Sequence, residues 1–239
     1  MILKNQPYSL ALIIALNMLP IWGVWQWNWT PFMVFYLFWI ETLIISFFNA
    51  LKIIFCRGDE YENRLEMSTH KYALLHVKYA SHIRKALVYL LIRIGIFFFY
   101  LIFIVTFIGF LMSANSDHYE VMETLLFFNR SFNYALLGFI LNLGIQFVLN
   151  FILNDEYKQT HPSDFAAIFD GRQIIIHVAV VIGGVFGGFF GDVFSQSSQK
   201  HHLNQMTIYL FVISVFCIVK TLFEVFKFKG VTQNIITRK

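Results

Sequence analysis

Five ionisable residues sit inside long apolar stretches of this chain: Glu41, Arg93, His177, Lys220 and Glu224. Glu41 has no charged neighbour within ten residues on either side. An isolated charge in hydrocarbon costs ~2.5–3.5 kcal/mol on the insertion scale, so such residues find partners or serve a function. Pairing lowers the cost but seldom improves on apolar packing, which makes a purely structural cluster the weaker reading. Two chemistries suit these residue types. A buried carboxylate, its proton affinity set by desolvation against a nearby Arg93, can bind and release a proton or small ion. Alternatively, Glu41 and His177 can act as an acid–base pair while Arg93 and Lys220 hold a phosphate.

The elements that would position these groups are membrane-spanning helices. The chain has 239 residues, 58% hydrophobic and 13% charged, with mean hydropathy +0.63. A soluble domain carries about a quarter charged residues. A span needs about 20 mostly apolar residues, and six stretches qualify: about 8–24, 31–55, 86–112, 132–153, 173–194 and 206–226. The expected fold is all-α, a polytopic bundle forming one transmembrane domain. Counting from the helix ends, Glu41 lies ~15 Å below the outer face and Arg93 ~10 Å above the inner one. In a core ~30 Å thick, the pair differs in height by about one turn. Lys220 and Glu224 are one turn apart in the inner half of the sixth span, and His177 is near the inner end of the fifth. All five can meet between mid-membrane and the inner face.

Topology follows from Lys and Arg. Lys4, the seven from Lys52 to Lys85, Lys158, Arg172 and the four from Lys227 to Lys239 fall on one side. Only Arg130 and Lys200 fall on the other. Both termini are therefore expected in the cytoplasm, and the protein in a bacterial-type inner membrane. The net charge of +4 lies in loops between apolar runs, so it marks topology and not a nucleic-acid footprint. The first apolar run lacks a basic n-region and a small-residue cleavage site, so no cleavable signal peptide is expected. Trp22, Trp25, Trp27 and Trp29 in the first hairpin read as an interfacial aromatic belt. Asn28-Trp29-Thr30 and Asn129-Arg130-Ser131 match the glycosylation triplet, a three-residue pattern read as a chance match.

Polar and small residues pattern the remaining helices. Asn142, Gln146, Asn150 and Asn154 recur every four residues, a carboxamide stripe that packs helices or lines a path. Gly183, Gly184, Gly187, Gly188 and Gly191 form overlapping small-xxx-small patterns for close helix packing. Residues 58–85 form the largest cytoplasmic segment. Its second half interleaves His70, Lys71, His76, Lys78, His82, Arg84 and Lys85 with apolar residues, an amphipathic segment expected to lie on anionic lipid. Its three histidines share no helix face. Asp117, His118, Glu120, His201 and His202 are metal-ligand types without a recognised spacing, read as a solvated rim of the outer loops. In the first of these loops, HYEVMETLLFF has the pattern of a short interfacial helix. Cys56 and Cys217 form neither a disulfide framework nor a metal motif. No metal and no cofactor is expected.

Trp39-x-Glu41, Asn49-x-x-Lys52, Arg172 with His177 and Gly183-Gly184, and Lys220-Thr221 followed by an acidic residue together resemble an uncharacterised family of prokaryotic six-helix membrane proteins. The resemblance covers four of the six spans. That family's third helix carries a His-Tyr-Gly and a second His-Gly. Here Arg93-Ile94-Gly95 and Leu101-Ile102 stand there instead, so any role of those histidines is absent and Arg93 supplies charge. The resemblance implies no activity.

Three function classes follow. The leading one is a small channel or carrier for an ion, proton or small solute, with Glu41 titrating and the amide stripe lining the path. The second is an intramembrane enzyme on a lipid or isoprenoid. It is disfavoured because no nucleophile, metal triad or acidic repeat is recognised. The third is a non-catalytic accessory or immunity protein whose polar cluster only specifies packing. Expected partners are membrane lipids and a second copy or another membrane protein.

Overall fold

The computed structural model describes residues 6–57, 71–111, 118–168, 210 and 213–226. Every regular element among them is a helix. Helix α1 covers Gln6–Trp27 and α2 Pro31–Phe55. Helix α3 covers Lys71–Phe103 and runs on in π-helical turns through Ile104–Leu111. Helix α4 covers His118–Leu125, and α5 covers Arg130–Gln146, also extended by π turns over Phe147–Leu153. Two single turns follow, α6 at Glu156–Gln159 and α7 at Pro162–Phe165. Residues 213–226 form α8. Four stretches are long and apolar enough to cross a membrane: Leu10–Trp27, Pro31–Phe55, Ala80–Thr106 and His118–Leu153. The fifth expected span, 173–194, lies outside the described residues, as does the first part of the sixth.

The chain divides into two compact units: residues 1–39, 100–138 and 171–239 make the first, residues 40–99 and 139–170 the second. In the first unit, Pro31 opens α2, where its missing N–H costs nothing. Every residue from Pro31 to Phe38 is buried, as expected of a helix apolar on all sides. Tyr36 stacks on Phe32, Trp39 and Phe132 at 5.5, 5.7 and 5.6 Å between ring centroids. Helix α4 ends with the Phe127 and Phe128 N–H groups bonded back to the Thr124 and Glu123 carbonyls. That ending needs a left-handed residue, commonly Gly; Phe127 takes it here at φ 60°, its ring against Tyr36 and Phe132. The side chain of Asn129 then accepts the Phe132 N–H and the Ser131 hydroxyl, capping the start of α5. Trp22, Trp25 and Trp27 are exposed, as an interfacial belt requires, but Trp29 is buried. Its indole N–H donates to Ser131 Oγ at 2.9 Å, and its ring lies over Gly23.

In the second unit, Ala50 and Ile53 of α2 and Ala86 and Tyr89 of α3 form a buried cluster, covered by Phe165 and Ala166. Small residues at such a contact let helices approach closely. The turns after α5 close onto the end of α2. Arg57 N–H donates to the Tyr157 carbonyl at 2.6 Å, and Lys52 pairs with Glu156 at 3.6 Å. The Lys52 ammonium also faces the rings of Phe151 and Phe165. Residues 71–85 are the first turns of the helix that runs on through the third apolar stretch.

Candidate functional site

The residues of α8 sort by face. Ile213, Phe216, Cys217, Lys220, Thr221 and Glu224 are buried, whereas Val215, Ile218, Val219, Leu222 and Phe226 are exposed. The buried set recurs at three- and four-residue steps, so it makes one stripe of the helix. That stripe contains both charges of the segment. Lys220 is 1% and Glu224 5% exposed. Lys220 Nζ lies 3.0 Å from Glu224 Oε1.

A third side chain closes the arrangement. Asn17 of α1, also buried, accepts a hydrogen bond from Lys220 Nζ at its Oδ1, 2.5 Å away. Its Nδ2 donates to Glu224 Oε2 at 2.7 Å. The amide thus bridges cation and anion, and each carboxylate oxygen has a donor. The face of Phe38 lies 4.3 Å from Lys220 Nζ, an attraction that strengthens where water is excluded. Thr221 Oγ1 turns back to the Cys217 carbonyl at 2.6 Å, so the neighbouring hydroxyl is bonded within its own helix. Pro20 stands in the next turn of α1. It has no N–H for the carbonyl four residues earlier, which leaves the backbone beside Asn17 short of one helical bond. Chemically this is a charge-neutral triangle in an apolar setting. A proton or cation would compete with Lys220 for Glu224; an anion would compete with Glu224 for Lys220.

The second unit has its own buried cation. Arg93, 1% exposed, donates from Nε and Nη2 to Ser46 Oγ at 3.0 and 2.9 Å. Its Nη1 donates to the Ile168 carbonyl at 2.5 Å. The Ser46 hydroxyl in turn donates to the Thr42 carbonyl at 2.9 Å. The guanidinium also lies 4.9 Å from the Phe97 ring centroid. Glu41 is buried in this unit, on α2 with Thr42 and Ser46. Helix α3 shows the same sorting as α8: Arg93 faces in, while Leu91 is 69% exposed and Leu87, Ile94 and Phe98 are exposed too.

Of the residues singled out by sequence, Lys220 and Glu224 come together in the first unit, and Glu41 and Arg93 belong to the second. His177 and the glycines at 183, 184, 187, 188 and 191 lie outside the described residues. Gln146 donates to Asn142 at 3.0 Å, whereas Asn150 and Asn154 are exposed. The π turns begin at Phe147, so residues beyond it no longer keep the four-residue register. Asn17, Phe38 and Ser46 were not singled out by sequence as site residues, although a lone Asn in the first apolar run was a visible signal. Among the described residues no group of three His, Cys, Asp or Glu side chains is placed to hold a metal ion.

These features define an all-helical protein of long apolar helices with ionisable groups turned inward. The chain belongs to a family of unknown function, DUF6498, whose model matches residues 4–236. No curated protein and no solved structure matches it.

Proposed function

We propose that this chain is a multi-pass membrane protein of the transport class, passing a proton or small ion, with Glu224 as the titrating group of the Asn17–Lys220–Glu224 triangle. One observation carries the reading: the exposed face of α8 is apolar while its buried face holds the charges. Water favours the reverse sorting; hydrocarbon favours this one, because a charge is least costly there when it faces the bundle interior. The sorting on α3 supports the same reading. A mobile ion exchanges with Lys220 at Glu224, and Asn17 holds whichever partner is displaced. In the second unit we pair Glu41 with Arg93 as counter-charges, directly or through one polar group. Six spans with both termini in the cytoplasm of a bacterial-type inner membrane complete the proposal, supported by the distribution of Lys and Arg.

A second reading rests on the saturation of the triangle: each side-chain nitrogen and oxygen of Lys220, Glu224 and Asn17 meets a partner within the set. Such a closed set pins one helix to another, as a non-catalytic accessory protein requires. Flux separates the two. The full chain is reconstituted in vesicles and challenged with imposed proton, sodium and chloride gradients. The transport reading expects one gradient to collapse faster than in protein-free vesicles, and Glu224→Gln to abolish the gain. Flux no faster than protein-free vesicles for all three ions removes the transport reading and leaves the pin.

A further inference from the structure

The second unit contains a cavity of about 490 Å³ between α3 and the turn around α7. The volume falls in the range of small-molecule sites. Its α3 wall is built by Arg84, Lys85, Val88, Tyr89 and Ile92, which recur near the four-residue helical step. Ser163 and Ala166 line the opposite side. Two cations therefore stand at one end of an otherwise mostly apolar trough, and none of the lining residues is acidic. Arg84 and Lys85 are exposed. The trough is held in shape from below. Arg93, one residue past Ile92, fixes the Ile168 carbonyl, and Ile168 itself lines the cavity.

Position adds the second constraint. Arg84 and Lys85 lie in the first turns of the apolar stretch Ala80–Thr106, whereas Val88 and Ile92 lie one and two turns deeper. Cations at the margin of hydrocarbon with an apolar wall leading inward match an amphiphile: phosphate above, acyl chain below. Paired cations bracket a phosphate by charge-assisted hydrogen bonds, and each basic residue near an anionic surface contributes about 1 kcal/mol.

We propose that this cavity holds one anionic phospholipid, its phosphate between Arg84 and Lys85 and one acyl chain along Val88 and Ile92. The proposal rests on the membrane reading of the helices and not on transport. It is tested on the full chain purified in neutral detergent, by native mass spectrometry with added phosphatidylglycerol, phosphatidylcholine or inorganic phosphate. One phosphatidylglycerol should be retained per chain in preference to phosphatidylcholine. The double variant Arg84→Gln, Lys85→Gln should lose affinity by about thirtyfold. Ala166→Trp, which fills the trough and keeps both cations, should displace the lipid as well. Equal retention of the two lipids, undiminished binding in both variants, or inorganic phosphate binding as tightly as phosphatidylglycerol overturns the proposal. Alkaline carbonate treatment of membranes tells the two failures apart. A chain released by carbonate refutes the membrane reading; a carbonate-resistant chain without lipid preference refutes this inference alone.

Discussion

The Asn17–Lys220–Glu224 triangle makes a specific demand at the level of single residues. Removing one member of a buried ion pair leaves the other uncompensated and typically costs ~3–5 kcal/mol. Lys220→Leu and Glu224→Leu should each lower the melting temperature in detergent more than the double apolar replacement does. Additive single effects would mean that the two charges are independent. Gly23 and Gly95 give a second contrast. A Cβ on Gly23 would stand 2.5 Å from two carbons of the Trp29 ring, and the bond to Ser131 holds that ring in place. Gly23→Ala should cost ~1–3 kcal/mol by overpacking. Gly95→Ala, with nothing within 4 Å, should melt with the wild type. The charged residues were legible in the sequence because each interrupts an apolar run. Asn17 was visible only as an interruption, since its partners are some two hundred residues away. The Ile168 carbonyl that receives Arg93 is a backbone group, and no residue type announces it.

Helices were legible where composition alone decides. The stretch 31–55 matches α2 as it stands, because Pro31 marks its start and apolar residues fill it. Boundaries set by hydrogen-bond register were not. Nothing in Ile104–Leu111 or Phe147–Leu153 distinguishes π turns from α turns, since both place apolar residues against apolar neighbours. Likewise the polar pattern of 71–85 did not reveal that α3 continues unbroken for 33 residues. Such a helix is ~50 Å long and exceeds a hydrocarbon core of ~30 Å, so in a membrane part of it would project beyond the core. The sorting of faces on α3 yields a further expectation. Leu91→Arg, on the exposed face, should reduce the carbonate-resistant fraction, because it places an unpartnered charge in lipid at ~2.5–3.5 kcal/mol. Arg93, two residues on, is tolerated because Ser46 and the Ile168 carbonyl receive it. Wild-type insertion of Leu91→Arg would mean that this face meets water.

For the molecule as a whole, family membership leaves function open, and the sorting of charge and apolar surface supplies the argument. The excess of Lys and Arg on one side of the six expected spans leads to the expectation that reporters fused after Lys239 and within residues 197–202 report opposite sides, the former cytoplasmic. A periplasmic signal after Lys239 would reverse that orientation. The inward-facing charges themselves are best tested along α8. In a background of Cys56→Ser and Cys217→Ser, single cysteines at Phe216, Val219 and Leu222 are spin-labelled and reconstituted in bilayers. Collision rates are measured with oxygen, which concentrates in hydrocarbon, and with a water-soluble nickel complex. Labels at Val219 and Leu222 should meet oxygen freely and nickel rarely, while the label at Phe216 meets neither. Nickel exceeding oxygen at Val219 and Leu222 would place the apolar face of α8 in water and contradict a membrane bundle built around Lys220 and Glu224.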